Sequence, residues 1–526
     1  MAVDSTDLHV LSSSDSQPSP SSWRIGADHV AVGFRELGKY RIRKTAEGDR
    51  LLIDDEILQS DGNHWTWSPR FYAGQVHAEL LGPGDRTRAT YLLDVSPDPE
   101  KLGRDTFQAM LERIWAFDPR LVLGTEPAAV PIGHEAATAK PWLEYARLRA
   151  YGDRFVRALA AIAHWPLREL RAERAHLPLP QVRRADRHTA LAALGNPQLL
   201  KVLHAGEGAA TSTGAMPRFD VPVARETLDG AANRCIAAIA HEVSRRAVRL
   251  RDELQTIVEK ESDSATRTSL GARWPRRREF LDRLVAQLRH FLCIPPLVDV
   301  KRHEISAAGL NAVSADPAYS NAYGSGWRIL RRGAEGPPRA ERMWISPTWE
   351  IYERWCFVQL CDAVRKAKPE YSWSVLRTNR WKATAALTGS GNGHRSIELL
   401  LQPKFPAGDQ RPNIGFRSVS GSREPDIVLT RTEGDMRKWH VLDAKYRTGR
   451  SNVLEAMASA HIYRDALRWN GHRPESAVLL VPRAGDAEWL ERPEFIERHR
   501  VGVCALGAEA DLQVVTDLLF ADTAVR

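Results

Sequence analysis

The tightest constraint on this chain is a pair of short apolar runs near its C-terminal end, joined by a polar turn and tipped with charged side chains. The segment reads Glu424-Pro425-Asp426-Ile427-Val428-Leu429, then Trp439-His440-Val441-Leu442-Asp443-Ala444-Lys445-Tyr446-Arg447. Ile427 to Arg431 and Trp439 to Ala444 are rich in β-branched and leucine residues, which predicts strands. Glu433-Gly434-Asp435 between them is a hairpin-turn signal. A turn centred on Gly434 and Asp435 sets Asp426 opposite Asp443. Directly opposed residues hold their Cβ atoms roughly 5 Å apart, close enough for one ion to bridge two carboxylates. Asp443 and Lys445 are two apart and share a face, while Ala444 turns the other way into packing. A slip of one residue would turn Asp426 to the opposite face.

Carboxylate oxygens are hard ligands that suit Mg²⁺ or Mn²⁺. A metal bound there acidifies a water and neutralises charge on an attacked phosphate. Lys445 is placed to orient or deprotonate that water, or to offset the negative transition state. A structural hairpin with exposed Asp and Lys at its ends is the competing interpretation. Pro97-Asp98 has the same opening but no Asp-x-Lys on a following strand. The full order of Pro-Asp, strand, turn, strand and Asp-x-Lys distinguishes the second site.

At these residues the sequence resembles the PD-(D/E)xK nuclease superfamily, with Asp443-Ala444-Lys445 as the second motif. More narrowly it resembles the McrC-like branch, the nuclease subunits of modification-dependent restriction systems. Two further segments carry that likeness: Trp349-Glu350-Ile351-Tyr352-Glu353-Arg354-Trp355 and His461-Ile462-Tyr463-Arg464-Asp465-Ala466. The resemblance covers roughly residues 340 to 526. It extends loosely upstream to Tyr91-Leu92-Leu93-Asp94-Val95 and to Asn233-Arg234. It implies a metal-dependent endodeoxyribonuclease in which Asp426, Asp443 and Glu353 hold Mg²⁺ (or Mn²⁺) and Lys445 handles the water. Arg447, His461, Tyr463 and Arg464 would contact nucleic acid. It also implies a separate AAA+ GTPase or ATPase of McrB type as partner, with which the chain could form an oligomer. The chain has no Gly-x-x-x-x-Gly-Lys-Ser/Thr loop of its own, so nucleotide hydrolysis is not expected of it. Two other functions remain open. One is a catalytically silent DNA-binding or structural subunit that regulates the motor. The other is a nuclease processing RNA or branched DNA.

Across 526 residues, 74 Lys and Arg stand against 66 Asp and Glu, a net +8 that favours a nucleic-acid partner without demanding one. Five scattered cysteines form no zinc or redox motif, and a reducing cytoplasm without disulfides is expected. No apolar stretch is long enough for a membrane span.

The expected architecture is α+β and multidomain. Residues 1–22 are rich in Ser, Asp and Pro and read as a disordered tail. Residues 23–131 read as a β-rich domain with a helix at about 104–115. That module would serve partner binding or DNA sensing in the resembling family, or would simply pack. Residues 132–340 read as a helical, arginine-rich middle region, with helices at 141–163, 227–260 and 276–292. Its arginines, among them Arg174, Arg246, Arg251 and Arg277, either follow a DNA backbone or form salt-bridged, solvated faces. Residues 341–526 read as a restriction-endonuclease-like α/β domain with a central mixed sheet. Within it, Ser346 is expected to cap a helix running to about Lys366. Strands are expected near 381–387 and 396–402. Asn452 with Glu455 suggests a capping box for a helix ending near Asn470.

Overall fold

The computed structural model describes residues 6–12, 22–27, 30–99, 101–118, 121–122, 129–132, 141–197, 200, 218–262, 270–331, 341–377, 385–391, 395–410, 415–507 and 512–520. The chain forms two compact units: residues 1–146, 253–277 and 332–526 in one, and 147–252 with 278–331 in the other.

The first unit contains the α/β domain. Its helix α1 (Thr348–Ala367) is followed by strands β1 (Ser372–Arg377), β2 (Ala385–Gly391), β3 (Arg395–Leu401), β4 (Ile427–Glu433) and β5 (Met436–Ala444). Helix α2 (Arg450–Ala466) and strands β6 (Ser476–Val481) and β7 (Val501–Ala505) complete it. The sheet runs in the order β1-β2-β3-β4-β5-β6-β7. Pairing is antiparallel as far as β5 and parallel from β5 through β7, so the sheet is mixed as the sequence predicts. Alternation splits its side chains between two cores. Leu429, Leu442 and Ala444 face the layer containing α1, whereas Val428, Trp439 and Val441 face the layer containing α2. Each fully buried aliphatic contributes roughly 1.5–3 kcal/mol, and with both faces covered the sheet reads as continuous apolar runs.

The β-rich segment belongs to the same unit and the same core. One sheet pairs Ser22–Ile25, Leu8–Ser12, Tyr40–Arg43, His64–Trp67 and Ser60–Asp61 in that order. A second is built on Gly74–Leu81 and Thr87–Ser96, with Val30–Arg35 parallel to the latter. Helix Gly103–Phe117 lies against α1, with the Phe117 and Phe357 rings meeting edge to face at 6.2 Å and an Arg113–Asp362 ion pair. Leu8, Phe34, Val76 and Leu111 thus share one apolar cluster with Ile351, Leu399 and Leu442.

Several expectations need correction. Residues 8–12, expected in a disordered tail, form a strand that buries Leu8 and Val10 and pairs on both edges. The surrounding Ser and Asp hide this short alternation in composition. Residues 1–5 and 13–21 lie outside the described residues. Ser346 does not cap α1: its hydroxyl is buried and accepts from Arg354, and Pro347 holds the N-cap position. Asn452 sits inside α2 and donates to the Thr448 carbonyl at 2.9 Å, so the capping box does not form. That helix stops at Ala466 because Leu467–Trp469 pairs with Phe416–Ser418, burying Leu467 and Trp469. Strand β1 was not anticipated at all.

Among the described residues the second unit is mostly helical. Glu169–Pro178 and Arg218–Thr227 form a long antiparallel pair inside the stretch expected to be helical. Arg174 on that pair is held by Asp186 and Asp220. Arg246 is buried and donates to the Ile329 carbonyl at 2.7 Å, and Arg251 pairs with Asp252 and Asp282. Asn233 bonds the Leu167 and Leu228 carbonyls, while Arg234 clamps Asp229. These arginines hold the fold together. In the first unit Arg277 does the same, buried against Asp54. Among the described residues no helix is long and apolar enough to cross a membrane.

Candidate active site

The β4–β5 hairpin has the register deduced from its turn. Ile427 pairs with Leu442 and Glu433 with Met436, leaving Gly434 at φ 58° in the two-residue turn. Asp426 immediately precedes β4 and Asp443 lies near the end of β5, so the register carries one toward the other. The Ala444 N–H donates to Asp426 Oδ2 at 2.9 Å and tethers that carboxylate to the neighbouring strand. Lys445 follows β5, its Nζ 2.6 Å from Asp443 Oδ2 and 3.6 Å from Asp426 Oδ2. Ser459 on α2 donates to Asp443 Oδ2 at 2.8 Å, whereas Asp443 Oδ1 is buried with no hydrogen-bond partner.

Glu353 enters from α1. It lies more than one turn into the helix, is 2% exposed, and accepts from Gln402 Nε2 at 2.7 Å. Gln402 follows β3 in a left-handed conformation, φ 51°, and its N–H donates to the Asp426 carbonyl at 2.6 Å. Burial pushes the Glu353 carboxyl up to about 7, against the lowering pull of Arg354. Burial, then the charges of Glu353 and Asp443, hold Asp426 well above the usual carboxylate range. Burial would lower Lys445, but Asp426 and Asp443 outweigh it and keep the ammonium above the ordinary lysine value.

Among the described residues no three His, Cys, Asp or Glu side chains close around a point as a finished metal cage would. The Lys445 ammonium stands beside both aspartates in the role of the compensating cation. The donor set nonetheless fits a hard divalent ion. It is all oxygen, it carries an orphaned buried oxygen on Asp443, and Mg²⁺ needs only one or two carboxylates together with waters. Burial first, and then the nearby charges of Glu353 and Asp443, disfavour ionisation of Asp426, and a bound dication would offset that cost.

The four remaining candidates separate. Tyr463 is half-buried beside the acids, its phenol raised by burial and then by Asp443. Arg447 lines the cavity over the acids and pairs with Glu455 at 2.9 Å. His461 is exposed on another face of α2. Arg464 is flanked by Arg473, Glu475 and Arg500 and is not brought to the acids.

The cavity over the site has a volume of 870 Å³, and one wall comes from the β-rich segment through Leu37, Phe71, Asp98 and Lys101. Sequence reading missed this wall, as it missed Gln402 and Ser459. Asp98, set aside in the sequence as an isolated acid, lines the cavity. The left-handed backbones at Leu37 and Gln402 distinguish two of them, and those are invisible before folding.

Comparison with known proteins places residues 350–481 in the PD-(D/E)XK nuclease superfamily. The α/β domain is therefore a PD-(D/E)XK nuclease-superfamily domain. No curated protein matches the chain. Among solved structures, a refined half-complex from the tetradecameric assembly of Thermococcus gammatolerans McrB AAA+ hexamers with bound McrC matches at 13% identity and TM-score 0.21. It covers 80% of this chain and 72% of the other. The cryo-EM structure of the Thermococcus gammatolerans McrBC complex matches at 13% identity and TM-score 0.19, covering 57% of this chain and 69% of that one.

Proposed function

We propose, starting from the PD-(D/E)XK nuclease-superfamily domain at residues 350–481, that this protein is a Mg²⁺-dependent DNA endonuclease. The observation that carries the proposal is the meeting of Asp426, Asp443, Lys445 and Glu353 at one end of the hairpin, with Asp443 Oδ1 left unpartnered. Asp443 and Asp426 would hold the metal, with Glu353 assisting from α1. When bound, the ion supplies charge neutralisation at the phosphate and acidification of a water.

The protein's own groups divide the remaining work. Lys445 keeps its proton tightly in the acid pair, so its ammonium is suited to donating hydrogen bonds to an attacked phosphate and offsetting the charge that develops there. The Ala444 N–H fixes Asp426, and Ser459 fixes Asp443, so neither carboxylate must be reorganised when substrate arrives. Gln402 joins the Asp426 backbone to the Glu353 side chain and keeps the two acids in one frame.

Within this reading the protein is the cleaving subunit of a bacterial restriction or anti-phage system and works with a separate AAA+ NTPase of McrB type. Support comes from the Trp349–Trp355 and His461–Ala466 segments and from the lack of a phosphate-binding loop in this sequence. Supercoiled plasmid incubated with Mg²⁺ or Mn²⁺ tests the proposal, with Asp443→Ala alongside. Nicking or linearisation by wild type alone is expected, either unaided or once the AAA+ protein and nucleotide are added. Equal cutting by both proteins, or silence of wild type under every condition, would remove the nuclease assignment from this site.

A further inference from the structure

Large apolar side chains on a soluble surface are normally scattered, and three of them meet at the rim of the catalytic cavity. Leu37 is 44% exposed, and Phe71 and Trp349 are each 43% exposed, and all three line the cavity that holds Asp426 and Lys445. They are held there by specific backbone contacts. The Thr348 N–H donates to the Phe71 carbonyl at 2.8 Å, setting Phe71 beside the start of the helix that carries Trp349, while the Thr348 hydroxyl reaches Glu36 Oε2 at 2.6 Å. The Leu37 N–H donates to the Arg70 carbonyl at 2.8 Å, bringing the third member beside Phe71. Leu37 itself is left-handed, φ 62°, a conformation a leucine adopts only when its surroundings enforce it and one that concentrates at functional sites.

The chemistry of the rim selects the occupant. Lys101 stands over the Phe71 ring at 5.5 Å and over the Tyr446 ring at 4.6 Å, and Lys445, Arg447 and Arg483 line the same cavity. Flat aromatic faces beside a row of cations match a ligand with a π-face and a phosphate on one backbone. Lys101 pairs with Glu36 and Asp98, Lys445 with Asp426 and Asp443, and Arg447 with Glu455, so a backbone phosphate would share these cations with the protein's own carboxylates.

We propose that Leu37, Phe71 and Trp349 form a ledge on which an unstacked nucleobase lies, so that the DNA strand entering the catalytic acids is single or locally opened. This rests on the nuclease reading and names its substrate form. The β-rich segment then supplies part of the substrate site, since Leu37, Phe71 and Lys101 all come from it.

Binding of the full-length protein to a short fluorescein-labelled DNA, single-stranded or annealed to its complement, tests this in EDTA, where nothing is cut. The single strand is expected to bind more tightly. Phe71→Leu and Trp349→Leu, which keep an apolar side chain at partly exposed positions, should each weaken single-strand binding about ten-fold and change duplex binding little. A fluorescent adenine analogue in the strand, quenched by stacking on wild type, should regain emission on either variant. Unchanged single-strand affinity in both variants, with unchanged melting temperatures, would overturn the ledge. So would unchanged DNA binding combined with loss of binding to the AAA+ protein, which would assign these residues to protein docking. Failure of the nuclease reading is seen separately, as equal plasmid cutting by wild type and Asp443→Ala.

Discussion

At the scale of single residues, the candidate site is a cluster of largely buried acids around one lysine. Glu353 is pushed from 4.5 up to about 7 by burial, so between those values the folded chain binds a proton that the unfolded chain releases. The metal-free protein should therefore lose stability as pH rises across that window, and Mg²⁺ should restore it most strongly above pH about 7, where Glu353 is ionised. Thermal unfolding at stepped pH, with EDTA or with Mg²⁺, reads this directly. A melting temperature in EDTA that rises steadily from pH 5 to pH 8 would contradict it. Calorimetric titration with Mn²⁺ should show affinity increasing with pH and proton release on binding. Gln402→Ala removes the hydrogen bond that favours the ionised Glu353, so the pH dependence of metal binding should move upward. Lys445→Ala should leave DNA binding in place and lower cleavage by about 10²–10⁴-fold, the range for loss of a proton-transfer or charge-stabilising group. Loss of folding in that variant would make the lysine structural.

At the scale of elements, the hairpin and the two flanking helices are aligned by close backbone contacts. Gly485 is left-handed, φ 56°, and a Cβ there would lie 2.6 Å from the backbone nitrogen of Gly449, the N-cap of α2. Gly485→Ala should push away the start of the helix that presents Ser459 to Asp443, so both melting temperature and cleavage should fall. Gly434 in the β4–β5 turn has a similar φ of 58° but open space around its Cβ position. Gly434→Ala should show only the backbone cost, about 1–2 kcal/mol, and keep its activity. Equal losses in the two variants would mean that the Gly485–Gly449 contact contributes nothing.

At the scale of the whole molecule, the nuclease domain is continuous with the β-rich segment. Helix α1 buries one side on Gly103–Phe117 and its neighbours, and Arg354 donates to the Leu121 carbonyl at 2.7 Å. Residues 341–526 expressed alone would expose that surface. The fragment should aggregate, or bind a hydrophobic dye strongly, where the full chain does not. A soluble, sharply melting fragment would show the seam to be dispensable.

Local sequence determined the parts of this protein whose spacing is short. The β4–β5 register follows from a two-residue turn and a period of two. Asp426, Asp443 and Lys445 therefore converge as the sequence alone indicates. The helices at 141–164 and 231–262 likewise announce themselves through periodicity. Tertiary structure decided what depends on contacts between distant segments. Gln402 reaches Glu353 across 49 positions, and Thr348 reaches Phe71 across 277. Leu467–Trp469 leaves its helix to pair with Phe416–Ser418. A residue's periodicity reports which face it turns to its own element. Which partner covers that face is settled only when loops close and the cores on the two sides of the sheet are filled.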